Sequence, residues 1–166
     1  MNLKVVIISD TSPVANLLII DKLDVLYKTV GEIIIPPKVY IEITALKKYG
    51  VDTDPLDNLS WISVKEPQNV KLVGQYLSVL DEGESEAIVL AQELHADWLI
   101  MDEKIGRKFA EQLKIKTIGL LGILIKAKNE GVLNLVKPTL DELISLAGFW
   151  ISKDVYRMVL KEAGEK

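Results

Sequence analysis

The chain has 166 residues, 49% hydrophobic and 27% charged, a composition that supports one hydrophobic core and argues against disorder. It has no cysteine and one histidine, His95, which excludes disulfides, thiolate metal sites, cysteine nucleophiles and His-rich metal centres. A net charge of −4 disfavours a generic polyanion binder and leaves carboxylates, hydroxyls, Lys and Arg to carry any chemistry.

Residues 3–9 (LKVVIIS) form an apolar run rich in Val and Ile, as expected of a central parallel strand covered on both faces. Asp10 and Pro13 interrupt the longer apolar stretch, and no basic leader or small-residue cleavage site accompanies it. The segment therefore reads as neither signal peptide nor membrane span, and a cytoplasmic protein is expected. Pro13 predicts a helix start with Ser12 as its cap, running to about residue 20, then a second helix over 22–30. A strand over 32–35 is broken by Pro36-Pro37, which opens a helix over 38–49 closed by Gly50. Residues 51–60 read as a surface loop, and 61–65 as a strand. Helices are predicted over 70–80 and 83–94, a strand over 98–101, a helix over 103–113, a strand over 115–118 and a helix over 119–130. Two terminal helices follow, over 139–147 with a capping box from Thr139 and Glu142, and over 152–162. This alternation predicts an α/β fold, a three-layer sandwich around a central parallel β-sheet. Ligands in such folds sit beyond the carboxyl ends of the strands.

Two predicted strands end in an aspartate, Asp10 and Asp102, which places both carboxylates on one rim of the sheet. For Asp102 alone a helix-start acid is the simpler account, whereas for Asp10 the cap reading is opposed by Pro13, which makes Ser12 the cap. Glu42 lies within the apolar stripe made by Val39, Ile43 and Leu46. Glu84 falls on the stripe of Ala87, Ile88, Ala91 and Leu94, whereas Glu86 sits toward its edge and suits a first-turn acid. Asp81 and Glu82 read as solvent or capping residues. A carboxylate on a buried face costs several kcal/mol unless it is paired or bound to a cation. A buried ion pair is the ordinary solution, but Arg, its usual partner, occurs only at Arg107 and Arg157. Convergent carboxylates without His or Cys suit Mg2+ or Mn2+, ions that activate water and clamp phosphate oxygens in phosphodiester cleavage.

With these residues in view the chain resembles the PIN domain, and in particular the VapC-type ribonuclease toxins. The likeness is carried by VVIISDTSP, by the acid in PKVYIEI, by LDEGESEAIVLAQELHADWLIMDE and by IGLLGILIKAKNEG. It implies a PIN-like nuclease domain over 1–133, with 134–166 a C-terminal helical extension packed on the same domain. The family's motif acids map onto Asp10, Glu42, Glu84 and Asp102 as catalytic and metal-holding residues; a gap-free alignment selects Glu84, and Glu86 requires a shift of two. Thr11 or Ser12 would then orient Asp10 or a metal-bound water. The chain departs from the family in having Ile100 where many members carry Thr or Ser, and Glu rather than Asp as third acid.

The resemblance implies a metal-dependent endoribonuclease acting on single-stranded RNA, with an antitoxin protein as a further partner and a homodimer as the assembly. Residues 104–137 hold eight bases and two acids, a local charge of +6 that leaves −10 elsewhere, so Lys104 and Arg107 are candidate substrate-binding residues at the rim. Trp61, Trp98 and Trp150 are scattered and read as core. A haloacid-dehalogenase-type phosphatase is disfavoured, because its second Asp would fall at Ser12. A non-catalytic PIN-fold scaffold is the rival of a different class.

Overall fold

The computed structural model describes residues 3–166. In chain order the elements are β1 (Ile7–Ser9), α1 (Thr11–Ile19), α2 (Leu23–Val30), β2 (Ile33–Ile35), α3 (Pro37–Thr44) with a 3-10 turn (Ala45–Tyr49), α4 (Asp54–Asp57), β3 (Ile62–Val64), α5 (Val70–Tyr76), α6 (Glu82–Glu93), β4 (Trp98–Ile100), α7 (Lys104–Gln112), β5 (Thr117–Ile118), α8 (Leu120–Asn129), α9 (Lys137–Leu146) and α10 (Lys153–Glu162). All strands are parallel, in the order β3-β2-β1-β4-β5, so β1 is central as its unbroken apolar run requires.

The period-two alternation of side chains along the strands divides the interior into two cores. Ile7, Ile33, Ile35 and Ile100 point to one face, and Ile8, Leu99 and Met101 to the other. The first face packs against apolar residues of α1, α2, α3, α8, α9 and α10; the second packs against α6 and Ala110 of α7. The result is an α/β three-layer sandwich. The C-terminal helices belong to its main core: Val136, Leu140, Leu143, Val159 and Leu160 are buried in the cluster that holds Val14, Leu17 and Leu26. Among the described residues no helix is long and apolar enough to cross a membrane.

Three local expectations are corrected. Helix α1 begins at Thr11, and Asp10, not Ser12, holds the N-cap position. Proline needs no hydrogen-bonded N–H anywhere in a first turn, so Pro13 fits at the third helical residue. The capping box is absent: Pro138 draws the start of α9 back to Lys137, leaving Thr139 inside the helix and buried. The loop at 51–60 contains the single turn α4.

Because Leu140 is fully buried in the core shared with α1, Leu140→Ala is expected to cost about 2–5 kcal/mol. A urea titration should show the whole protein losing stability in a single transition. A separate early transition would mark α9 and α10 as an independent unit.

Candidate functional site

The carboxyl ends of β1 and β4 meet where the strand order reverses, the crevice that binds ligands in open parallel sheets. Ser9 pairs with Ile100, and the Asp10 N–H extends the ladder by donating to the Ile100 carbonyl at 2.9 Å. Asp10 lies one residue beyond β1, and Asp102 two beyond β4. The pairing therefore brings both aspartates to one rim.

Asp10 occupies the N-cap of α1 with extended backbone (φ −79°, ψ 176°), yet its side chain makes no capping hydrogen bond. It is 6% exposed. Burial pushes its carboxyl up to about 7, against the backbone N–H of Thr11, and the charges of Asp81, Glu42 and Asp102 add to the rise.

Helix α3 buries Val39 and Ile43 and carries Glu42, half-buried, toward α1. Thr11 Oγ1 donates to Glu42 Oε2 at 2.5 Å. Across the gap lies Gly83 in the first turn of α6, where a Cβ would stand 3.1 Å from Glu42 Oε2. Glycine leaves this carboxylate its slot.

Glu84, in the next position of α6, is 8% exposed. Burial raises its carboxyl to about 7, and Asp81 and Asp10 push it the same way. Its Oε2 would lie 3.4 Å from a Cβ at Gly106 in α7. Asp81, expected to be only a capping or solvent residue, has two roles. Its Oδ1 caps α6 by accepting from the Glu84 N–H at 2.8 Å, and its charge acts on both Asp10 and Glu84. Its place three residues before Glu84, at a cap position, was the available sign.

Glu86 is directed elsewhere. Its Oε2 accepts from the Lys38 N–H at 3.0 Å and satisfies a donor in the first turn of α3. Burial raises its carboxyl, opposed by that N–H, with Glu82 and Glu66 as its acidic neighbours. The structure thus brings Glu84, and not Glu86, to the group around Asp10.

Asp102 is held from two sides. Its Oδ1 accepts from the Leu120 N–H at 2.7 Å, and Ser12 Oγ approaches Oδ2 at 3.4 Å while accepting from Asn16 Nδ2 at 3.1 Å. Burial raises its carboxyl, and the Leu120 N–H, Ser12 and the Arg107 charge oppose that rise. The two hydroxyls expected at Asp10 therefore serve other acids, Thr11 holding Glu42 and Ser12 holding Asp102.

Arg107 and Asp102 flank Gly119, where a Cβ would stand 3.0 Å from both the Arg107 Nη1 and the Asp102 Oδ1. Both residues line a cleft of about 520 Å³ that runs to residues 148–151 of the C-terminal extension. Lys104 is exposed at the start of α7 and is not among the residues lining that cleft.

Among the described residues, no ion pair involves Asp10, Glu42, Asp81, Glu84 or Asp102. Nor, as the side chains stand, do three acidic groups converge closely enough to hold one metal ion. In chemistry the donor set fits a hard divalent cation: it is all oxygen and negative, with the Arg107 charge acting on Asp102 alone. Closing round an ion would take rotation of these side chains.

Asp10 and Glu84 titrate near 4 in an unfolded chain and near 7 here. The unfolded state gives up these protons first, so their contribution turns against folding as pH rises from about 4 to about 7, and is complete above 7. Without divalent ions, Asp10→Asn should therefore gain stability relative to wild type on going from pH 4 to pH 7.5. Urea titrations of both proteins in EDTA test this; a constant difference between them would show that Asp10 is not held neutral.

The family profile DUF3368, described as a PIN domain, matches residues 6–165. Among solved structures the chain is similar to a PilT N-terminus domain protein from the hyperthermophilic archaeon Sulfolobus solfataricus P2. The identity is 22% and the TM-score 0.47, over 73% of this chain and 92% of that one. No curated protein matches it. PIN domains are typically nucleases and commonly use divalent metals. With the profile spanning nearly its whole length, this chain belongs to the PIN domain family.

Proposed function

We propose that the protein is a metal-dependent endoribonuclease that hydrolyses phosphodiester bonds in single-stranded RNA. The observation that supports this reading is that Asp10, Glu42, Glu84 and Asp102 lie at one rim by the switch point of the sheet and, among the described residues, none of them forms an ion pair, Arg107 near Asp102 being the one cation that acts on any of them. A fold that needed these acids only for stability would pair them. Mg2+ or Mn2+ would be held by the four carboxylates, and supplies, when bound, a more acidic water and neutralisation of phosphate charge.

The chain's own groups prepare the site. Thr11 fixes one oxygen of Glu42; the Leu120 N–H and Ser12 fix Asp102. Asp10 and Glu84, raised to about 7, exchange protons near neutral pH, and a bound cation would favour their ionised forms. Arg107, beside Asp102, offers a forked donor to a substrate phosphate, and Lys104 adds charge at the rim. The VapC-type resemblance extends the proposal to a toxin restrained by a protein antitoxin, and to a homodimer acting in the cytoplasm.

Asp10→Asn is the direct test. Mn2+ at a hundredfold excess over its dissociation constant should stabilise the wild type by about 2.7 kcal/mol, and the variant by less. Cleavage of single-stranded RNA should require the ion and be lost in the variant, which still folds. Equal metal-induced shifts in Tm would move the ion away from Asp10. A wild type with neither metal response nor cleavage would make the scaffold reading the better one.

A further inference from the structure

Trp150 does not join the core; it is 84% exposed, whereas Trp61 is 9% exposed. Its exposure is imposed by its neighbours. Phe149 and Ile151 on either side are both packed against the main core, and the Phe149 N–H is tied to the Leu143 carbonyl at 3.0 Å. Before them Gly148 turns the chain with φ +68°. The segment is thus pinned at alternate residues, and the indole between them is held out of the core.

Trp150 also lines the cleft that contains Asp102 and Arg107. Gly119, the N-cap of α8, and Gly122 in its first turn also line the cleft, with Leu121 between them. One cleft of about 520 Å³ therefore offers a carboxylate of the acidic group, a guanidinium and an exposed aromatic face. A nucleotide carries the matching set, an anionic phosphate joined to a flat π-system.

We propose that residues 148–151 form a nucleotide subsite, in which the Trp150 indole stacks on an unpaired base of the RNA while Arg107 binds the adjoining phosphate. This rests on the nuclease reading above and names the feature that selects its substrate. A base inside a duplex has its faces covered and cannot stack on an indole, so the subsite favours single strands. The C-terminal extension then takes part in substrate binding as well as in the core.

The test measures binding apart from cleavage, in Asp10→Asn protein with a fluorescently labelled ten-nucleotide single-stranded RNA and Mg2+. Adding Trp150→Ala should weaken binding about tenfold or more, whereas Trp150→Phe, which keeps a stacking face, should stay within about threefold. Arg107→Ala should weaken binding and lower the slope of log K against log salt by about 1. A duplex of the same sequence should be indifferent to Trp150→Ala. Unchanged Tm in the Trp150 variants shows that the fold is intact. In otherwise wild-type protein, Trp150→Ala should raise KM and spare kcat. Equal affinity of the parent and Trp150→Ala proteins overturns the subsite, even if the wild type cleaves RNA. Equal loss in the Ala and Phe variants overturns stacking. A Trp150→Ala effect on self-association alone overturns it in favour of a second copy of the chain. If the wild type does not cleave but binding still depends on Trp150, the subsite stands and the nuclease reading falls.

Discussion

Negative charge gathered at one rim of the sheet, much of it buried, sets the terms for this protein. Asp10, Glu84 and Asp102 are each pushed toward the neutral form, chiefly by burial, and for Asp10 and Glu84 the neighbouring acids add to it. Charge left in such a place costs on the order of several kcal/mol per group unless something compensates it. Elsewhere the chain compensates its partly buried acids in the usual way. Glu165 takes Lys128 and two backbone N–H groups, and Asp141 takes Lys137 and the Tyr156 hydroxyl. The contrast between these ion-paired acids and the rim, where neutral donors alone reach Glu42 and Asp102, is internal to one molecule.

The surroundings of the rim preserve that state. Gly83 and Gly119 come from two different helix starts, and each leaves room where a carboxylate or guanidinium now lies, while Gly106 leaves room for the Met101 sulfur. The hydroxyls of Thr11 and Ser12 restrain direction without supplying charge. A lysine in place of either would offset the repulsion among these acids.

Much of this could be read from residue order. The apolar runs before Asp10 (VVIIS) and Asp102 (WLIM) identify strands, and strands that end in acids point to the carboxyl rim. Glu42 stands out because it breaks an apolar stripe. Glu84 and Glu86 are distinguishable in principle, since two steps along a helix rotate a side chain by about 200°. They leave α6 on nearly opposite sides, one toward Asp10 and one toward the Lys38 N–H. What was not legible depends on partners distant in the chain. Thr11 faces Glu42 because α1 and α3 pack together across 31 positions. Trp150 is bare because Phe149 and Ile151 have found the core. The start of α1 was misplaced because proline is equally content at several positions of a first turn, so Pro13 does not fix the register.

The pairing of β1 with β4 also governs when the site comes into being. Ser12 and Asp102 are 90 positions apart, and they face one another only after β4 has been made and has docked beside β1. Contacts of such long sequence separation form late and slowly, because the loop must close before it is rewarded. A chain still lacking β4 carries Asp10, Glu42 and Glu84 but no rim to gather them, and its early folding is spared their mutual repulsion. For an enzyme whose proposed substrate is RNA, the order of synthesis then acts as a safeguard. Under the proposed reading the nascent polypeptide would be inert beside its own message until the second half of the chain supplied β4.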